Sequence, residues 1–205
     1  MKAADVSTIF FLGDLLIGAP VFSQSATQQD YFPEWFLPGF GGVDTGHIAR
    51  LYDQAQWEHA FGYSFYEIPQ PDSETECYKA YREIDPDNNP NDNMCIYMWG
   101  HMVQLMSGLQ KAGPNLTPET FKKGLLETPQ LPPDPPWHMA GGYGPNDHTF
   151  PDWASEIWWD RNALGSDGQA GTYRFPQKGK RYTYGLWESK DNGLFKEGIT
   201  LASQA

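Results

Sequence analysis

"STIFFLGDLLIGAP", residues 7–20, admits two readings, and the choice between them decides the fold. As a secretory leader it has the three expected parts: a basic Lys2, an apolar centre, and small residues between Ser23 and Ala26. Asp5 in the charged part and Asp14 inside the apolar part both oppose export. As part of a folded domain it is a buried strand, "STIFFLG", stopped at Gly13-Asp14 and followed by a helix through "FSQSATQQDY". The second reading accommodates both aspartates and is preferred.

Outward from that strand, the same alternation continues. In "PEWFLPGFGG", Pro33 opens a short apolar strand, and Gly39, Gly41 and Gly42 end it in a turn. Asp44 or Thr45 then caps one helix through "HIARLYDQAQWEHAFG", with Ile48, Leu51, Tyr52 and Ala55 on one face and Gly62 closing its end. "YSFYEIP" supplies a third extended piece. Three strands alternating with two helices predict an α/β fold, a parallel sheet with flanking helices, over residues 1–70.

Residues 71–128 read as a helical segment. It holds a short helix around "ETECYKAYREI", an irregular polar loop, and a longer helix through "CIYMWGHMVQLMSGLQKAG". Met98, Met102, Leu105, Met106 and Leu109 form an apolar stripe on the longer helix, and core packing is the expected use of such a stripe. "LTPETFKKGLLET" reads as a further helix, with Thr117 at its N-cap and Pro118 at its first position. Residues 129–205 begin as a Pro- and Gly-rich loop and close with "ASEIWWD", "GTYRF" and "KRYTYGLWE", read as strands or hairpins.

Composition excludes some partners. A formal charge of −12 over 205 residues argues against nucleic acid and against an anionic membrane surface, since both need concentrated Lys and Arg. No apolar run approaches the roughly 20 residues that span a bilayer. The eight Trp serve either aromatic packing or stacking on a ligand, and composition does not choose.

Catalytic and cofactor motifs are sparse. "GGVDTG" lacks the lysine of a phosphate loop and the glycine spacing of a dinucleotide fold, so no cofactor is expected. Ser64 in "GYSFY" is not at a nucleophile elbow. His47, His59, His101, His138 and His148 show no zinc spacing, so no metal site is expected. The loop Asp85–Asn93 alternates oxygen ligands in the manner of a calcium loop, but Pro90 and Ile96 stand where glycine and glutamate are needed. Glu156 and Asp160 among Trp153, Trp158 and Trp159 keep an aromatic-rich carbohydrate-active enzyme open as an alternative. Cys77 and Cys95 flank a polar loop as a possible disulfide, which would imply an oxidising compartment; two free thiols fit the spacing equally.

Four stretches carry a family resemblance. "STIFFLGD" with "QSATQQDYFPEW", then "FGGVDTGHIARLYDQAQWEHAFG", "MVQLMSGLQKAGPNLTPETFKKGLLE" and "GTYRFPQKGKRYTYGLWE" follow one another as similar stretches do in the second half of type I periplasmic solute-binding proteins, the Leu/Ile/Val-binding family of ABC-transporter receptors. The resemblance implies the second lobe plus late crossover elements of that two-lobed fold, with the first lobe's opening units missing. Met1 is then expected to be the start of a partial gene or an internal fragment. It further implies a chain that catalyses nothing, binds an amino-acid-like small molecule in the periplasm or outside the cell, and delivers it to an ABC permease. A ligand-sensing regulator of the same fold is the alternative.

In such a lobe the ligand meets the carboxyl ends of the strands, as open α/β sheets also lead one to expect. The implied contacts are Gly13, Asp14 and Leu15 after the first strand, and Gly39, Phe40, Gly41 and Gly42 after the second. Asp14 is expected to pair with a ligand ammonium, Phe40 to form an apolar wall, and the glycines to admit close backbone approach. Helix capping by Asp14 and core packing by Phe40 are the competing roles. The pocket's opposite wall is expected to lie outside this chain.

Overall fold

The computed structural model describes residues 1–90, 92–183, 185–188 and 190–204, with backbone alone at 92–94, 96 and 97. Its elements are β1 (Thr8–Phe10), α1 (Gly18–Gln28), β2 (Glu34–Leu37), α2 (Gly46–Ala49), α3 (Gln54–Trp57), β3 (Ala60–Ser64), α4 (Glu76–Ile84), α5 (Asp92–Ala112), α6 (Pro118–Leu126), β4 (Ala154–Leu164), β5 (Ala170–Arg174) and β6 (Arg181–Tyr182). They build a mixed α/β fold.

The sheet runs β1-β2-β3-β4-β5, with β6 beside β4. β1, β2 and β3 are parallel, as the strand–helix alternation predicts, with Ile9 opposite Trp35 and Trp35 opposite Ala60. β4 runs antiparallel to β3, and β5 and β6 both return antiparallel along β4. The closing runs are therefore strands of the same sheet, and the last begins at Arg181 and stops at Tyr182. Tyr184 of "KRYTYGLWE" falls outside the described residues, as does Asn91 of the loop read against calcium.

Indole hydrogen bonds give the core its specificity. Trp35, Trp57 and Trp159 are almost fully buried. Trp35 donates to Gln56 Oε1 at 3.2 Å, Trp57 to the Tyr173 hydroxyl at 2.9 Å, and Trp159 to Gln54 Oε1 at 2.9 Å. Gln56 in turn donates to Thr27 Oγ1 at 3.0 Å and the Tyr31 carbonyl at 2.9 Å. Each buried indole N–H is thereby satisfied, which allows so much aromatic area to be buried without orphaned donors. Helix α1 presents Ala19, Ser23 and Ala26, a small-residue face, and the Ser23 hydroxyl accepts the Asp53 N–H at 3.1 Å where α3 begins.

Two sequence expectations are corrected. The single helix through 47–62 is two short ones, because the Asp53 carboxylate accepts the N–H groups of Ala55 and Gln56 and starts a new helix. Gly62 does not close a helix; it lies inside β3 opposite Leu37, where a Cβ would stand 2.7 Å from the Leu37 Cβ. The second correction concerns α5. Met98, Met102, Leu105 and Met106 are exposed, not core. Trp99 and Val103, also exposed, line the cavity described below, and the helix packs α6 against Gly108, where a Cβ would meet the Phe121 ring at 2.6 Å.

Helices α4–α6 form a layer apart from the sheet, fastened to it by the Pro-rich loop. Pro136 accepts both the Ile68 N–H at 2.9 Å and the Arg181 guanidinium at 3.0 Å, and the Tyr143 hydroxyl donates to Gln104 on α5 at 2.7 Å. Cys77 on α4 is joined to Cys95 on α5. Among the described residues no helix is long and apolar enough to cross a membrane.

Candidate functional site

Three left-handed glycines turn the chain out of β2: Gly39 at φ 67°, Gly41 at 69° and Gly42 at 79°. A side chain at Gly39 would meet the Tyr63 carbonyl at 2.8 Å, so this turn is closed to other residues on both conformational and steric grounds. It delivers Asp44 to the carboxyl edge of β3. The Tyr173 hydroxyl, donating to the Val43 carbonyl at 2.6 Å, holds the turn from the β5 side.

Asp44 is 5% exposed. Its Oδ2 accepts the Ser64 hydroxyl at 2.6 Å, while Oδ1 is buried without a hydrogen-bond partner. Burial pushes this carboxyl up to about 6, with the Ser64 hydrogen bond opposing the rise. Three residues past Ser64, Glu67 likewise holds a buried Oε2 without a partner, and burial raises its pKa against the opposing charges of Arg181 and His138. Tyr66 stands between them in sequence; burial, then the charges of Asp44 and Glu67, push its phenol up to about 12.

Both carboxylates line a cavity of about 350 Å³. Its floor is the sheet side, with Ser64, Tyr66, Thr172 and Tyr173; its roof is the helical layer, with Cys77, Trp99, Val103 and Gln104. Trp137, His138 and Met139 of the Pro-rich loop close one side. The other is closed by the β4–β5 hairpin, where Arg50 forms a two-pronged pair with Asp167 at 2.5 and 3.0 Å and donates to the Gly171 carbonyl at 2.9 Å. Such a chamber, apolar with a few converging polar groups, can enclose a small molecule. All of these walls come from this chain.

The sequence-proposed contacts lie elsewhere. Gly13–Leu15 and Gly39–Gly42 are brought together, since the Leu15 side chain fills the space over Gly41, and the Tyr52 hydroxyl fixes the Leu15 carbonyl at 2.8 Å. None of the seven lines the cavity. Asp14 is exposed and accepts the N–H groups of Ile17 at 3.1 Å and Leu16 at 2.9 Å in the turn that precedes α1, which hold its carboxyl below the usual range; α1 itself begins after Ile17 without a side-chain cap. Phe40 is 48% exposed. Glu156 accepts from Trp187 at 2.8 Å and Asn192 at 2.7 Å, and Asp160 is paired with Arg174 at 2.7 Å; neither lines the cavity.

Sequence reasoning offered Asp44 or Thr45 as a helix cap, the position Thr45 occupies, and missed that Asp44 lines the cavity. The available signal was an acidic residue directly after a glycine-rich strand exit, two positions past the last glycine. Glu67, in "FYEIP", carried no comparable signal.

No protein-family model matches the chain, and no curated protein matches its sequence. Among solved structures it is similar to an ABC transporter substrate-binding protein from Aeropyrum pernix, at a TM-score of 0.50 and 13% identity. The match covers 85% of this chain but 44% of that one, so the chain spans less than half the length of the structure it resembles. At that identity the likeness concerns architecture: the sheet and its flanking helices are built as in a substrate-binding protein of ABC transporters.

Proposed function

We propose that this chain binds a small solute for ABC-type import outside the cytoplasm, and that the cavity between sheet and helical layer is where the solute sits. The observation that carries this is the buried oxygen without a partner on Asp44, a residue that lines a chamber of small-molecule size at the carboxyl edge of the parallel strands. A buried acceptor left unpaired is costly, and a ligand donor offsets that cost. The solute is amino-acid-like in size and polarity. The Cys77–Cys95 bridge fits an oxidising compartment.

In this reading the strand exits at Gly13–Leu15 and Gly39–Gly42 form a rim, where Asp14 and Phe40 meet the remainder of the receptor and the ligand's outer end. Solute binding then favours the conformation in which sheet and helical layer are drawn together, and a permease recognises that form. The test is a thermal-shift screen of small solutes followed by calorimetry. A true ligand at one hundred times its Kd should add about 2.7 kcal/mol of stability. Absence of any stabilising solute across amino acids, amines, polyols and carboxylates would overturn the reading.

A further inference from the structure

The charges around the cavity are unbalanced. Asp44, Glu67, Glu76 and Asp167 line it, against one lining guanidinium, Arg50, with His47 and His138 beside them and Arg181 acting on Glu67 from outside the lining. Arg50 is committed: its guanidinium reaches both Asp167 oxygens and the Gly171 carbonyl. His138 has its Nδ1 at 3.0 Å from the Met139 carbonyl. Asp44 and Glu67 each keep a buried carboxylate oxygen with no hydrogen bond. Among the described residues the chamber therefore offers acceptors in excess and no uncommitted Arg or Lys for an anionic group.

Much of the remaining surface is aromatic. Tyr66, Trp99, Trp137, Phe150, Tyr173 and Phe175 all line the chamber. Ring faces attract cations as well as apolar groups, and more strongly once water is excluded. A cation with a flat apolar body satisfies both features together.

We infer that the cavity takes an organic ammonium ion: a charged nitrogen with at least one N–H, carried on an apolar body and free of a carboxylate. Asp44 is its buried counter-charge, Glu67 the second carboxylate, and the rings enclose the body. This rests on the solute-binding reading above and narrows its amino-acid-like solute to an amine. A zwitterion is disfavoured because its carboxylate would meet Asp44, Glu67 and a guanidinium already engaged.

The experiment is calorimetry on the unmodified chain at pH 8 with butylammonium, benzylammonium and 2-phenylethylammonium chlorides, each beside the alcohol of the same skeleton, and with phenylalanine. At least one ammonium ion should bind ten times or more tightly than its alcohol and than phenylalanine, the margin expected of a charge-assisted hydrogen bond to a buried carboxylate. Asp44→Asn should erase that margin. Equal affinity of amine and alcohol, tighter binding of phenylalanine, or failure of all three ammonium ions overturns the inference. If the ammonium ions fail while another solute binds, solute binding itself stands; if nothing binds, both fall. Should Asp44→Asn not fold, the ranking on the unmodified chain decides alone.

Discussion

The Ser64 hydroxyl donates to Asp44 at 2.6 Å and itself accepts the Tyr66 N–H at 3.1 Å, so one side chain ties the exit of β3 to the turn after β2. The hydroxyl has one proton, and it is directed at Asp44. The carboxylate is thereby oriented, with one oxygen engaged and the other buried without a hydrogen-bond partner. Removing the hydroxyl by Ser64→Ala should cost about 1–3 kcal/mol at pH 8, the range for orphaning a buried acceptor, and less at pH 5, where Asp44 is protonated. Chemical denaturation at the two pH values measures the difference.

Asp44 should make the stability of the ligand-free protein fall as pH rises. Its folded-state value of about 6 lies above the ordinary 3.8, so between those values the folded protein holds a proton that the unfolded chain has lost. The stabilisation is full below the lower value and is lost through the upper one, on the order of 3 kcal/mol for a shift of this size. Asp44→Asn should flatten that part of the profile in thermal melts from pH 4 to 8. Ammonium binding carries the opposite sign: it favours the ionised carboxylate, so affinity should rise with pH to a plateau above about 6.

Reduction of the Cys77–Cys95 bridge should loosen the roof of the cavity more than its floor. The bridge closes 18 residues of sequence between α4 and α5, and a loop of that order contributes about 3 kcal/mol. Cys95→Ser should lower stability by about that amount and weaken solute binding, while hydrogen exchange in β1–β3 is little changed. Uniform loss of protection across the sheet would count against a separate helical layer.

Gly62→Ala places a methyl against Leu37 in the tightest part of the parallel sheet, 2.8 Å from its backbone nitrogen. A destabilisation of about 1–3 kcal/mol is expected from such overpacking. Urea denaturation checks it.

Met102→Lys and Met106→Lys should each leave stability within about 0.5 kcal/mol, because both side chains face outward. A loss of 2 kcal/mol or more, the size seen for truncated core residues, would show the stripe to be buried. Equilibrium unfolding of the two variants separates these outcomes.

Much of the frame was legible because strand and helix periods are local. "STIFFLG", "PEWFLPG" and the helix starting at Pro118 each announce themselves by apolar runs and turn or cap residues within a few positions. The break at Asp53 escaped because the apolar periodicity runs through it, while the capping contacts that interrupt the helix are made by a side chain whose rotamer sequence does not reveal. The exposure of Met102 was illegible for a different reason. An amphipathic stripe shows that a helix has an apolar side, not which side the rest of the chain covers. The cavity itself joins residues from 44 to 175, a convergence set by tertiary packing rather than by any motif.

Ser64 and Ser155 sit opposite each other on neighbouring antiparallel strands, although the entire helical layer intervenes between them in the chain. Antiparallel neighbours can be closed by a two-residue hairpin, so the frame does not require that excursion for its strand connectivity. The layer is in effect a detachable cassette, plugged into one junction of a sheet that already holds Asp44 in place. On the proposed reading, substitutions at Trp99 and Val103 would therefore alter which solute is taken without moving Asp44, which the sheet holds by itself.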